Sequence, residues 1–513
     1  MMNKQWIDAF RGEIREFADT LDAYTQGSVD KKVYKGFSGG FGSYAQRDPA
    51  RHMLRLRMAG GRLTRERLAF LADSVRRYDV QRMKLTTCES VQLHDLAAEQ
   101  VPLLMEEAIG CEVYTRGAGG DNARNVMCSP LSGVQPGEAF DVMPWAVAAA
   151  EYLLSICRDV RMSRKLKVAF CNGVDDSVHS AFRDMGFVAQ PDGTFKLYIA
   201  GGLGAADPRM GVLVEESLPA GQILYYLRAM VDTFCRYGNY ENRAKARTRF
   251  MQETLGAEGL KNAYLACVAE LKALGGLDLD LRQPVICKTG SGVLEGARVI
   301  SQKQPGLYAV KYHPIGGCLP IGKPAELLAA IADMPDVECR VAPDETLYVI
   351  NLTAQEARSV LDATSDGAVT EFEHSVACIG ATVCQQGIRD SQSALLAAVR
   401  AVRAAGLPDG ALPRIAISGC PSSCGAHQSA AIGFQGGVRL VDKTPLPAFR
   451  MLLGGSDALN GAAFGEPIAT VLEKDLPELL VELGSAAAKA GMRWEQWAPS
   501  NSEAIRAIVG SYT

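Results

Sequence analysis

Apolar positions recur at two periods along this chain. At Trp6, Phe10, Ile14, Phe17 and Leu21 they follow the rhythm of one helix face, so the N-terminal stretch predicts a helix packed on the body of the protein. From Leu54 to Met58 apolar residues alternate with Arg55 and Arg57, the two-residue period of a strand that places both arginines on one face. Lys165, Leu166, Lys167 and Val168 alternate in the same way and set the two lysines side by side. Over 53 to 96 the pattern reads strand, Gly-Gly turn, a helix with Leu68, Leu71 and Val75 on one side, and a further strand. The same order returns over 308 to 352, through Gly316, Gly317, Leu327, Leu328 and Ile331, and predicts a duplicated α+β unit. Two such copies, separated by the chain between them, can pair as one domain while the intervening chain forms another.

Length supports that division, since 513 residues at about 150 per domain make about three. The net charge of −4 means that the chain as a whole is no polyanion binder, and any anion site must be local. Charges interrupt every apolar step of the N-terminus, and no stretch is apolar enough to span a bilayer, so the expectation is a cytoplasmic protein without a membrane partner. Fourteen cysteines, most of them scattered singly in a long chain, suit a reducing compartment. Cys111, Cys157, Cys235 and Cys267 lie in apolar or helical surroundings and are expected in the core.

Four other cysteines are not scattered. Cys378 and Cys384 form a C-x5-C, and Cys420 and Cys424 form a C-x3-C within SGCPSSCGAH. Two pairs of thiolates on Gly- and Pro-containing loops suit a cubane iron cluster. A four-cysteine zinc staple is the alternative, although a five-residue gap is wide for zinc. Ile415 to Ile417 predict a short strand delivering Cys420, and Gly425 is expected to open a helix through Ala430 whose N–H groups face the sulfurs. The paired cations at Arg55 and Arg57 and at Lys165 and Lys167 repel, a cost most easily tolerated where an anion binds; a solvated edge strand is the other reading. The run from Arg236 to Arg249 is basic, but no nucleic-acid recognition motif accompanies it, and none is expected to bind. The Gly-rich stretches GGLGAADP and GSGVLEG lack the spacing of a dinucleotide fingerprint.

The run ACIGATVC followed by GCPSSCGAHQSAAIGFQG resembles the signature of the siroheme-dependent sulfite and nitrite reductases. MLRLRMAGG, DNARNVMC and SRKLKV resemble the segments of that family that touch substrate and siroheme. The resemblance implies that Cys378, Cys384, Cys420 and Cys424 hold a 4Fe-4S cluster, with Cys424 shared with siroheme iron. It implies that Arg55, Arg124, Lys165 and Lys167 bind the oxyanion and supply protons. Arg57, Lys84, Gln92, Arg243 and Arg247 are its implied contacts around the macrocycle. In KLTTCESVQLHD the family's usual arginine is replaced by Cys88, so a carboxylate contact is lost or moved, with Lys84 the substitute.

The implied reaction is the six-electron reduction of sulfite to sulfide, which the K-x-K lysines favour, with nitrite to ammonia as the alternative. Ferredoxin or a flavoprotein would donate the electrons. A cobalamin-pathway precorrin oxygenase of the same fold is the nearest rival, and the lysine pair argues against it. The implied fold is α+β in three domains, with ferredoxin-like half-domains in pseudo-twofold duplication. The expected boundaries are an N-terminal helical arm at 1–47, paired half-domains at 48–116 and 303–365, a siroheme and substrate domain at 117–302, and a cluster domain at 366–513.

Overall fold

The computed structural model describes residues 4–513. The helix Lys4–Thr25 buries Trp6, Phe10, Ile14, Phe17 and Leu21, the face that the spacing predicts. These side chains share one core with the first α+β copy and with the second.

The duplication is present in the backbone. The first copy runs His52–Leu56, a tight turn at Ala59–Gly61, Arg62–Leu63, the helix Arg65–Arg77, then Arg82–Leu85 and Val91–Leu96. The second runs Leu307–Tyr312, a turn at Ile315–Gly317, Cys318–Leu319, the helix Lys323–Ala330, then Glu338–Val341 and Leu347–Thr353. Each copy lends its two-residue strand to the other. Cys318 and Leu319 pair with Lys84 and Met83, whereas Leu63 and Arg62 pair with Cys339 and Arg340, and each exchange completes a five-stranded sheet. The Gly-Gly turn makes the exchange possible. Gly61 has φ +66°, and a Cβ there would collide with the Val341 carbonyl; Gly317 has φ +70° and lies against Glu345 and Lys84.

A second repetition was not legible in the residues. Met127–Cys128, Val168–Cys171 and Met185–Ala189 form parallel pairs, extended antiparallel by Thr194–Ile199 and Val212–Pro219. Val376–Ala377, Ile415–Ser418 and Ile432–Val441 are parallel in the same order, extended antiparallel by Thr444–Leu453 and Glu466–Leu472. Each of these sheets has its own apolar core.

Three local expectations need correction. The strand begins only at Val168; Lys165 to Lys167 precede it, with Leu166 bridged to Ala123. Residues 425–430 form successive turns and no helix, because Ser423 (φ 55°) and Ala426 (φ 59°) adopt left-handed backbone that a right-handed helix cannot contain. Cys157 and Cys267 are buried as expected, but Cys111 and Cys235 are only half-buried. Among the described residues no helix is long and apolar enough to cross a membrane.

Candidate cofactor and anion site

The cysteine pairs reach the site on loops leaving adjacent parallel strands. Cys378 follows Val376–Ala377 and Cys420 follows Ile415–Ser418, with Ala377 in register with Ile417. Backbone amides point at the sulfurs: Gly419 N–H donates to Cys378 Sγ at 3.1 Å and Gln386 N–H to Cys384 Sγ at 3.4 Å. Such bonds ease the negative charge of a ligating thiolate. Cys424 is solvent-exposed, yet the protein around its thiol pushes it up to about 11; Cys378, Cys420 and Cys384 push the same way, and Lys165 opposes them. The four sulfurs are thus neighbours. Among the described residues no three His, Cys, Asp or Glu side chains are placed to hold a single metal ion.

Cations face Cys424 from the second domain. Burial holds the Lys165 ammonium well below its usual pKa, Arg247, Lys167 and Arg124 add repulsion, and Cys424 pulls the other way. Lys167 is lowered by burial too, with Cys88 opposing and Arg183 and Arg247 reinforcing. Arg124 donates to the Ala118 and Gly120 carbonyls at 3.0 and 2.9 Å, while its buried Nε has no partner. Arg55 donates to the same Ala118 oxygen at 2.7 Å. With its amide oxygen turned to Arg55, Gln92 accepts from Nη2 at 2.6 Å and Nε at 3.0 Å. Arg55, Arg124, Lys165 and Lys167 therefore come together, as does Gln92 behind Arg55.

The remaining predicted contacts are engaged elsewhere. Arg57 is buried and clasps the carbonyls of Arg116, Ala123 and Arg124 at 3.0–3.3 Å, so it shapes the loop that carries Arg124. Lys84 forms a 2.5 Å ion pair with Glu345, both side chains 3% exposed, and also donates to Gly316. Arg243 is largely exposed and paired with Asp121 at 2.8 Å. Arg247 pairs with the fully buried Asp184 at 2.9 Å and keeps a buried, unpartnered Nε beside the lysines.

Several residues at the site carried no sequence signal. Asp184 accepts the Lys167 N–H at 2.8 Å, besides Arg247 and the Thr248 hydroxyl, and so holds the lysine segment just ahead of the strand. Tyr44 accepts the Gly120 N–H at 2.7 Å; burial resists its ionisation, yet Arg124 and Arg55 hold it below its usual pKa. Asn125 Nδ2 donates to the carbonyls of Met58, Cys88 and Glu89 at 2.8–3.1 Å and ties two loops of the first copy to the second domain. Gln428 exchanges two hydrogen bonds with the Gly204 backbone, joining the cysteine domain to the second. Asn125 stood within DNARNVMC and Gln428 within GCPSSCGAHQSAAIGFQG, segments that the sequence singled out.

The chain is similar to known proteins in two segments and along most of its length. Residues 44–109 match the nitrite/sulfite reductase ferredoxin-like half domain, and residues 119–268 match the nitrite and sulphite reductase 4Fe-4S domain. The chain is 27% identical over 461 residues to a ferredoxin–nitrite reductase of Synechococcus elongatus, covering 85% of this chain and 86% of that protein. It is 24% identical over 527 residues to an assimilatory ferredoxin-dependent nitrite reductase of Haloferax mediterranei, with 96% and 89% covered. The fold superposes on the Mycobacterium tuberculosis NirA protein with a TM-score of 0.77 at 22% identity, over 94% of this chain and 95% of that one.

Fold and site together define an oxidoreductase. Two segments of the chain are similar to domains of the nitrite and sulfite reductases, and that similarity implies siroheme and a 4Fe-4S cluster as cofactors. The residues present fit both groups. Four neighbouring thiols with amides aimed at sulfur suit the cluster, and the buried, unpartnered Nε atoms of Arg124 and Arg247 suit an acidic macrocycle and an anion.

Proposed function

We propose that this enzyme reduces nitrite to ammonia with electrons from a ferredoxin. The K-x-K lysines had pointed to sulfite, but the relatives named above are nitrite reductases, and the reading follows them. Sulfite is kept as the alternative substrate. The observation that carries the reading is the placement of Lys165 and Lys167 opposite Cys424, so that cations for the anion face the thiol meant for the iron.

When bound, siroheme and the 4Fe-4S cluster supply an iron to hold the anion and the electrons to reduce it. Arg55 and Arg124 donate charge-assisted hydrogen bonds to the oxyanion, their planes set by Gln92 and the Ala118 carbonyl. Burial and mutual repulsion make Lys165 and Lys167 hold their protons less tightly, which suits Nζ to protonating oxygen as it leaves. Cys378, Cys384 and Cys420 complete the cluster ligands with Cys424. Arg247 and Arg243 serve macrocycle carboxylates next to Asp184 and Asp121, while Arg57 and Lys84 brace the loops from behind. The domain division given above accompanies this reading, the paired half-domains presenting Arg55 to cofactors held between the other two domains.

Enzyme purified and reconstituted without oxygen is to be assayed with reduced ferredoxin against nitrite and sulfite. The expected result is stoichiometric ammonia from nitrite, with a larger kcat/KM than for sulfite. Protein carrying both cofactors that yields no ammonia would sink the proposal.

A further inference from the structure

The turn after Arg82–Leu85 carries a thiol into the cation wall. Cys88 is half-buried, and its backbone is pinned on both sides. Its own carbonyl accepts from Asn125 Nδ2 at 3.0 Å, and the neighbouring Thr87 hydroxyl donates to the Cys424 carbonyl at 2.9 Å. One side of the residue packs on the small apolar cluster that includes Met127, Val178 and Val188. The sulfur faces Lys167, Arg183 and Arg55.

The nearby carboxylates are otherwise engaged. Glu89 turns its oxygens to the Cys128 N–H at 3.0 and 3.1 Å, and burial raises its pKa well above the usual carboxylate range. Asp184 is taken up by Arg247, Thr248 and the Lys167 backbone. The anionic group acting most strongly on Lys167 is the Cys88 sulfur, ahead of Cys424. Burial opposes its ionisation, but Lys167, Arg183 and Arg55 outweigh burial and bring the thiol down to about 6.

We propose that Cys88 is a specificity-determining residue that sets how much negative charge the site accepts, favouring a singly charged anion such as nitrite over a doubly charged one such as sulfite. The inference rests on the anion-reduction reading above and deepens it. A thiolate against Lys167 cancels one positive charge that the bound anion would otherwise meet. A monoanion loses one unit of that attraction and a dianion loses two, so the dianion is penalised more.

The test compares holoenzymes of wild type, Cys88→Ser, Cys88→Ala and Cys88→Asp. On each, kcat/KM is measured for nitrite and for sulfite and the ratio taken, which cancels differences in folded or cofactor-loaded fraction. Cys88→Ser and Cys88→Ala should raise the sulfite-to-nitrite ratio about ten-fold, whereas Cys88→Asp, which keeps the charge, should stay within about two-fold of wild type. A ratio left unchanged by the neutral variants, or moved equally by Asp and Ser, overturns the proposal. Wild-type holoenzyme that reduces neither anion overturns the functional reading, and this inference with it.

Discussion

Thr87 Oγ1 donates a 2.9 Å hydrogen bond to the backbone carbonyl of Cys424, across 337 residues of sequence. It joins the turn that carries Cys88, in the first α+β copy, to the loop that carries the thiol assigned to cluster and siroheme. The backbone of the Cys424 loop is thereby tied to a turn of the first α+β copy.

Thr87→Val keeps the shape of the side chain and removes the donor. The lost bond should cost about 1 kcal/mol of stability. Because Cys424 is freed to shift, kcat should fall by more than the stability loss explains. Thermal unfolding and steady-state kinetics on the same preparation check this, and an unaltered kcat would show that the bond does not position the loop.

Asp184→Asn removes the charge that holds Arg247 and the carboxylate acceptor of the Lys167 N–H. Leaving Arg247 buried without its partner should destabilise the protein by about 3–5 kcal/mol. KM for the anion should rise as well, since Arg247 and Lys167 lose their common anchor. Urea unfolding and KM are the two measurements.

Acid should unfold this protein earlier than its carboxylates alone would require. Burial lowers all six histidines: His52, His179 and His427 to about 4, His94 and His313 to about 3, and His374 likewise below its usual value. Folded pKa values below the unfolded value of 6.5 mean that the folded state binds fewer protons. The histidine contribution is therefore complete above about pH 6.5 and is lost as pH falls toward about 4 and below. Urea midpoints should drop between about pH 7.5 and about pH 5, and His94→Gln should shallow that slope. A midpoint flat over this range would contradict the argument.

Gly61→Ala tests the strand exchange. The residue combines left-handed backbone with direct contact to Val341, so the substitution should cost roughly 2 kcal/mol or more. An exposed glycine such as Gly27, also at positive φ but with open space around it, should cost less. Equal losses at the two positions would show that the crossing strand contributes nothing beyond backbone strain.

The duplicated unit was legible because its repeat carries residues with local meaning: the Gly-Gly turn, the apolar helix face and the flanking strands recur in order. The repetition of the other two sheets was not, since it resides in strand order and direction, which dissimilar residues satisfy equally well. The cysteine set was legible from spacing, and the cations from alternation. Asp184, Tyr44 and Thr87 were not, because what makes each of them matter is a partner brought close only by folding. The helix expected after Gly425 failed for a related reason: the loop follows its tertiary hydrogen bonds, among them the two exchanged between Gln428 and Gly204, and not local propensity.

Sequence by itself determined the periodicities, the paired thiols and the stock of cations, since each depends on residue type and short separation. Only the tertiary structure decided which of those cations face the site. Lys84 and Arg57 have the same charge as Lys165 and Arg124, yet Lys84 is claimed by Glu345 and Arg57 by backbone carbonyls. Whether a charge is free to meet a ligand depends on the acceptors that the fold places within hydrogen-bonding distance, and most of those lie far along the chain.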